Sequence, residues 1–213
     1  MNVLIFSENI YDYMSELLYL IAGIYLFNLF NFIFLRSSLN IFGIHPRQLV
    51  GIPGIFLSPF LHGSTEHFLM NAIPFFFISL MMVVILDWDL MLLCLETIII
   101  FSGILTWIAG RRGVHIGASG LVTGMFGWVL YWTMYNPSVV NIVILSILLI
   151  YFSSIFFGII PVDAKISWEG HLMGLISGVV CAQYPQVIEF YCQTQIAITS
   201  IYIEICSSVQ AIL

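Results

Sequence analysis

Charge is nearly missing from this chain. Its 213 residues hold five lysines and arginines and eleven aspartates and glutamates, 8% charged against 61% hydrophobic; soluble domains average about a quarter charged. The chain is therefore built to sit in lipid, and a large water-exposed domain is excluded. Five basic residues and a net charge of −6 leave no basic face for a nucleic-acid partner. The N-terminus carries Glu8, Asp12 and Glu16 and no basic residue. It thus lacks the positive region that opens a secretory signal, so the first apolar stretch is expected to stay as a membrane span. Cysteine is also scarce. Cys94 and Cys181 fall in apolar stretches, and Cys192 and Cys206 have no metal-type spacing, so the four read as packing residues without a disulfide framework. No H-E-x-x-H occurs, and His62 and His67, five apart, would be split across a helix. No metal site is expected.

Long apolar runs are what the chain has instead. A span needs about 20 mostly apolar residues, and six candidates meet that test: Leu17–Leu35, Glu66–Leu86, Leu90–Gly110, Ser119–Tyr135, Val139–Ile160 and Trp168–Tyr184. The expected fold is an all-α membrane protein, a six-helix bundle over residues 1–184. Asp87-Trp88-Asp89 and Asn136-Pro137-Ser138 make tight polar turns, and Trp88, Trp107, Trp132 and Trp168 lie near span ends as an aromatic belt does. The connection from Arg36 to Thr65 is long, and its stretch Ile52–Leu61 is too apolar for a free loop; short interfacial helices are expected there. Residues 185–213 form a moderately apolar tail, interrupted by Glu189, Gln193, Gln195 and Glu204. It reads as an interfacial amphipathic helix.

With six spans, three connections share one membrane face: Arg36–Thr65, Arg111–Ile116 and Pro161–Ser167. The residues able to do chemistry follow them directly: His67 and Asn71, then Ser119, then His171. Polar groups of these types are costly in lipid, and each marks a functional site by default. The fourth span carries Gly117, Gly120, Gly124 and Gly127, and the sixth carries Gly170, Gly174 and Gly178. Such small-residue stripes let two backbones approach closely. Ser119 and His171 flank those stripes, so packing of the two helices would pair a hydroxyl with an imidazole, a nucleophile with its general base. The competing reading is that the glycines only pack and Ser119 only caps its helix.

Glu169 is two residues before His171, and positions two apart on a helix do not face each other; Asp163 in the preceding loop stays open. A Ser–His dyad without an acid is the preferred reading. Acyl transfer also needs hydrogen-bond donors for an oxyanion. The Ser119 amide near a helix N-terminus is one candidate. His67 and Asn71, four apart on one helical face, are two more, unless they form only a local pair. His62 holds water or braces the loop. His45 and His115 read as interfacial polar residues, and Glu96 is a lone carboxylate in the third span.

These segments resemble the rhomboid family of intramembrane serine proteases. His62-Gly63-Ser64-Thr65-Glu66-His67-Phe68-Leu69-Met70-Asn71 is similar to the family's H-x4-H-x3-N. Val114-His115-Ile116-Gly117-Ala118-Ser119-Gly120 is similar to its GxSG element. Ser167-Trp168-Glu169-Gly170-His171-Leu172-Met173-Gly174, with Gly178, is similar to its last-span H-x2-G-x3-G. The resemblance covers about Phe42 to Ala182. It implies a rhomboid-like six-span bundle with a long interfacial first loop, Ser119 as nucleophile and His171 as base. It further implies an oxyanion site of His67, Asn71 and the Ser119 amide, with His62, Gly117, Gly120 and Gly174 in support. No cofactor and no metal are implied.

The substrates implied are single transmembrane helices, cut near their extracytoplasmic end where the backbone unwinds. A lateral gate is implied at the fifth span, with Tyr151, Phe152, Phe156 and Phe157 as its bulky side chains. The implied location is multi-pass in a bacterial plasma (inner) membrane, active site outward. The chain departs from the family in two places: Thr123 replaces an aromatic residue four after the serine, and Pro53-Gly54 stands where many relatives have Trp-Arg. Arg36, Arg47, Arg111, Arg112 and Lys165 all fall on the active-site face, which the positive-inside rule would make cytoplasmic. The alternatives are an inactive rhomboid-like protein that binds transmembrane clients, and a small solute carrier. The carrier would show paired broken helices in two related halves, and the sequence shows none.

Overall fold

The computed structural model describes residues 3–153 and 167–183, with side chains from residue 10 onward. Among them the regular structure is helical, with one isolated bridge between Ile44 and His115. The helices are α1 (Val3–Ile33), α2 (Gly54–Leu57), α3 (Thr65–Leu86), α4 (Trp88–Ala109), α5 (Ser119–Tyr135), α6 (Val139–Tyr151) and α7 (Trp168–Gln183), with short 3-10 turns between α1 and α3. Ile10–Ile33, α3 and α4 are long and apolar enough to cross a membrane. The expected fifth span is described only as far as α6 and the residues just after it; its remainder, the following loop and the tail 185–213 lie outside the described residues.

The helix ends follow from local chemistry. Ser64 accepts a hydrogen bond from the His67 amide (3.1 Å) and so caps α3. Asp87 alone separates α3 from α4; it turns the chain at φ 72° and its carboxylate accepts from the Leu90 amide. Ser138 caps α6 in the same way. The first helix starts well before the expected Leu17. Hydropathy marks where a helix meets lipid rather than where it begins, and acidic residues such as Glu8 and Glu16 are compatible with a helix.

α5 is the central post. Every residue from Leu121 to Val129 is buried, as a helix apolar on all sides must be. It packs on α3, α4, α6 and most extensively on α7. α1 lies outside, against α3. Tyr13 stacks on Trp88 at one end of the bundle (5.3 Å between rings), and Asn28 bonds the Phe60 carbonyl at the other (2.8 Å). The connection between α1 and α3 folds as compact short turns whose backbone lies directly against neighbours: a methyl on Gly54 would strike the Gly43 carbonyl.

Candidate functional site

Ser119 is the first residue of α5, after an N-cap at Ala118 that makes no side-chain cap bond. Ser119 is thus not the cap of its helix. The turn that delivers it depends on Gly117, whose φ of +107° is strained for any side chain. A methyl at Gly117 would also lie 2.6 Å from His67 Cε1, 2.7 Å from His67 Nε2 and 3.7 Å from Asn71 Nδ2. Both side chains therefore converge on the backbone two residues before Ser119. The Gly63 amide donates to His67 Nδ1 (3.4 Å). That assigns the ring proton to Nε2, which points at the Gly117 backbone with Cε1. Asn71 Nδ2 donates to the His67 carbonyl (2.9 Å), so the pair is also locally bonded, as the competing reading held.

α5 and α7 meet backbone to backbone. A methyl at Gly120 would lie 3.2 Å from the Gly170 carbonyl oxygen, and one at Gly124 3.0 Å from that of Gly174. Methyls at Gly174 and Gly178 would collide with the carbonyls of Gly120 and Gly124. Ser119 precedes Gly120 and His171 follows Gly170, so the two flank one direct backbone contact. His171 is buried. Thr123 is fully buried and donates to the carbonyls of Ser119 (2.8 Å) and Gly120 (3.1 Å). A methyl on Gly174 would touch its hydroxyl oxygen. A small residue here is what lets α7 come so close. Ser119 also lines a cavity of about 40 Å³ with Ser58, Ser102, Thr106, His115 and Ser167, room for a water molecule.

Several residues that hold this arrangement escape sequence reasoning. Asn28 Oδ1 accepts from the His62 amide (2.8 Å), and Asn40 Nδ2 donates to the His62 carbonyl (3.0 Å). Asn31 Nδ2 donates to Asn40 Oδ1 (3.0 Å), and its own Oδ1 accepts from the Leu39 amide (3.2 Å). Three asparagines thus clamp the loop onto α1. Buried amides in a lipid-facing helix were the signal that could have found Asn28 and Asn31. His115, in the connection between α4 and α5, is largely buried. Its Nε2 donates to the Arg111 carbonyl (2.9 Å), and its Nδ1 bonds the Ser167 hydroxyl. Glu169 pairs with Arg111 (3.5 Å).

His62 is 1% exposed, its ring edge-on to His67 at 5.2 Å between centroids. Burial, and then the charge of His67, push its pKa down to about 3, against a weak opposing effect of the Phe60 carbonyl. The ring is neutral at physiological pH. Among the described residues no three His, Cys, Asp or Glu side chains are grouped to hold a metal.

The Rhomboid domain matches residues 47–185 of this chain, and the chain belongs to the rhomboid family. The uncharacterized protein Rv1337 of Mycobacterium tuberculosis is 32% identical over 155 residues, 68% of this chain and 64% of that protein. The uncharacterized protein ML1171 of Mycobacterium leprae is 30% identical over 156 residues, 69% of this chain and 61% of its own. RHOMBOID-like protein 4 of Arabidopsis thaliana is 31% identical over 130 residues, 56% of this chain and 32% of that protein. The chain thus spans a little under two thirds of the mycobacterial relatives.

Proposed function

We propose that this integral membrane protein is a serine endopeptidase that hydrolyses peptide bonds in or near transmembrane segments of other membrane proteins. Ser119 is the nucleophile and His171 the general base, without a carboxylate third member. The oxyanion is held by His67 Nε2, Asn71 Nδ2 and the Ser119 amide at the N-terminus of α5. The observation that carries this reading is the convergence of His67 and Asn71 on Gly117, two residues before Ser119. The backbone contact of Gly120 with Gly170 adds to it by bringing the neighbours of Ser119 and His171 together. The small hydroxyl-lined cavity beside Ser119 gives the hydrolytic water a place.

The bundle crosses the membrane six times, with α5, α6 and α7 as the later spans. Substrate helices enter from the bilayer between α3 and α6, where Phe77 and Phe152 meet at 6.4 Å between rings. Of the other gate candidates, Tyr151 ends α6, and Phe156 and Phe157 lie outside the described residues. The active site faces the extracytoplasmic side of a bacterial plasma membrane.

A fluorophosphonate probe is expected to label the purified protein at Ser119. Cleavage of a transmembrane substrate in liposomes should fall about 10³-fold or more in Ser119→Ala and in His171→Ala. Asn71→Ala should cost about 10²-fold with little change in KM, as loss of one oxyanion donor does. Undiminished cleavage by Ser119→Ala would end the mechanism.

A further inference from the structure

Reacting groups have to be held to within about 0.5 Å, yet the helices that carry Ser119 and His171 meet through glycines. The contacts of Gly120 with Gly170 and of Gly124 with Gly174 permit close approach. They supply no interlocking side chains to fix the rotation or register of one helix on the other, as knobs in holes do. His171 also sits in the first turn of α7, where a helix's leading amides lack intrahelical partners. Other groups have to hold that turn.

Two polar links do so, and both come from the connection between α4 and α5 that delivers Ser119. His115 Nδ1 bonds the Ser167 hydroxyl at 2.5 Å, joining positions 52 apart in the chain. Arg111 pairs with Glu169. The Arg111 side chain is 40% exposed, so water weakens that pair. The His115 ring is largely buried, and its bond to Ser167 is the stiffer link.

Ser167 passes this hold on to His171. Its carbonyl accepts from the His171 amide (3.3 Å), closing the turn in which His171 sits. Its hydroxyl oxygen lies 3.2 Å from where a methyl on Gly170 would stand. His115 is itself pinned. Its amide and carbonyl both pair with Ile44 of the long loop (2.9 Å each), and its Nε2 is tied to the Arg111 carbonyl. Two residues on, the Gly117 amide donates to the Ser58 carbonyl (2.9 Å). One braced segment therefore leads into Ser119 and, through Ser167, grips the turn that carries His171. His115, Ser119 and Ser167 line the same small cavity.

We propose that Ser167 is a positioning residue of the proteolytic site: its hydroxyl, held by His115, sets where α7 begins and so aims His171 at Ser119. The proposal rests on the reading of Ser119 and His171 as the reacting pair. His115 and Ser167 act through His171 and need no contact with substrate.

The test is cleavage of a transmembrane substrate by the full chain in liposomes, with kcat and KM measured separately. kcat is taken per Ser119 titrated to completion with a fluorophosphonate, so that misfolded protein is not counted. Ser167→Ala and His115→Leu are each expected to lower kcat about tenfold or more with KM within about twofold, short of the roughly 10²-fold that a 1 Å misplacement costs. The double variant should lose no more than the worse single one, as the two ends of one bond do. His115→Asn, whose amide can stand where Nδ1 stood, should recover most of the rate lost in His115→Leu. A joint that only stabilises the fold would lower the thermal midpoint and the number of titrated sites and leave kcat per site unchanged. That result in Ser167→Ala, losses that multiply in the double variant, or no recovery in His115→Asn overturns the proposal while the protease reading stands. A parent protein that neither cleaves nor labels overturns the protease reading, and this proposal with it.

Discussion

At the scale of single residues, Gly117 and His62 carry the sharpest consequences. Gly117 is fixed by two demands at once: a positive φ, and the His67 ring and Asn71 amide against the space a Cβ would fill. Gly117→Ala meets both penalties. It is expected to lower activity at least 100-fold while costing about 1–3 kcal/mol of stability, read as a kcat loss larger than the drop in thermal midpoint explains. His62 is buried neutral, with its pKa lowered from 6.5 to about 3. The unfolded chain takes up that proton below pH 6.5 and the folded chain does not. The contribution of His62 to stability is therefore complete above pH 6.5 and is lost as pH falls from 6.5 towards 3, by up to about 1.4 kcal/mol per unit. Unfolding of His62→Gln measured between pH 4 and 7 should show a flatter decline than the parent protein. An identical slope would mean that His62 is solvated.

Helix pairs and loops form the next scale. The α5–α7 contact places a side chain on neither helix at Gly120, Gly124, Gly174 and Gly178. Gly174→Leu must therefore push the helix bearing His171 away from the helix bearing Ser119. Fluorophosphonate labelling should fall by at least tenfold, whereas Gly23→Leu on α1, where a methyl meets nothing within 4 Å, should leave it unchanged. The long loop depends on α1 in the same way. Asn28→Ala removes the acceptor of the His62 amide and a donor to the Phe60 carbonyl, leaving buried backbone groups unpaired at about 1–3 kcal/mol each. Limited proteolysis within residues 36–64 should accelerate in that variant.

The glycine stripes were legible in the sequence because close packing leaves a periodic signature. The asparagine clamp was not, because Asn28, Asn31 and Asn40 follow no repeat and bond to backbone far along the chain. The bonds of His115 were hidden for the same reason. Its partners, Arg111 and Ser167, define a buried joint between two loops that no local pattern announces.

Across the whole molecule, the basic residues run against the proposed outward orientation of the site. The contacts of two arginines explain why they stand there. Arg47 donates to the carbonyls of Ile108 (2.9 Å) and Gly110 (2.8 Å) at the C-terminal end of α4, where a cation is favoured. Arg111 neutralises the buried Glu169. Charges needed for folding on one face are weak topological signals. With the native cysteines replaced by alanine, Leu49→Cys should react with a membrane-impermeant maleimide on intact cells. Val139→Cys, at the other end of the bundle, should react only after lysis. The reverse pattern would place the site in the cytoplasm.

Composition and periodicity by themselves determined that this chain lives in lipid as apolar helices, with a serine, two histidines and an asparagine beside its loops. Those properties are local: apolar length sets the spans, and small-residue spacing sets which helices can touch. The tertiary structure alone decided that His67 and Asn71 turn onto Gly117, that Thr123 makes room for α7, and that three asparagines tie the long loop to α1. Each of these joins residues tens of positions apart through side-chain direction and backbone contact, which sequence spacing does not encode.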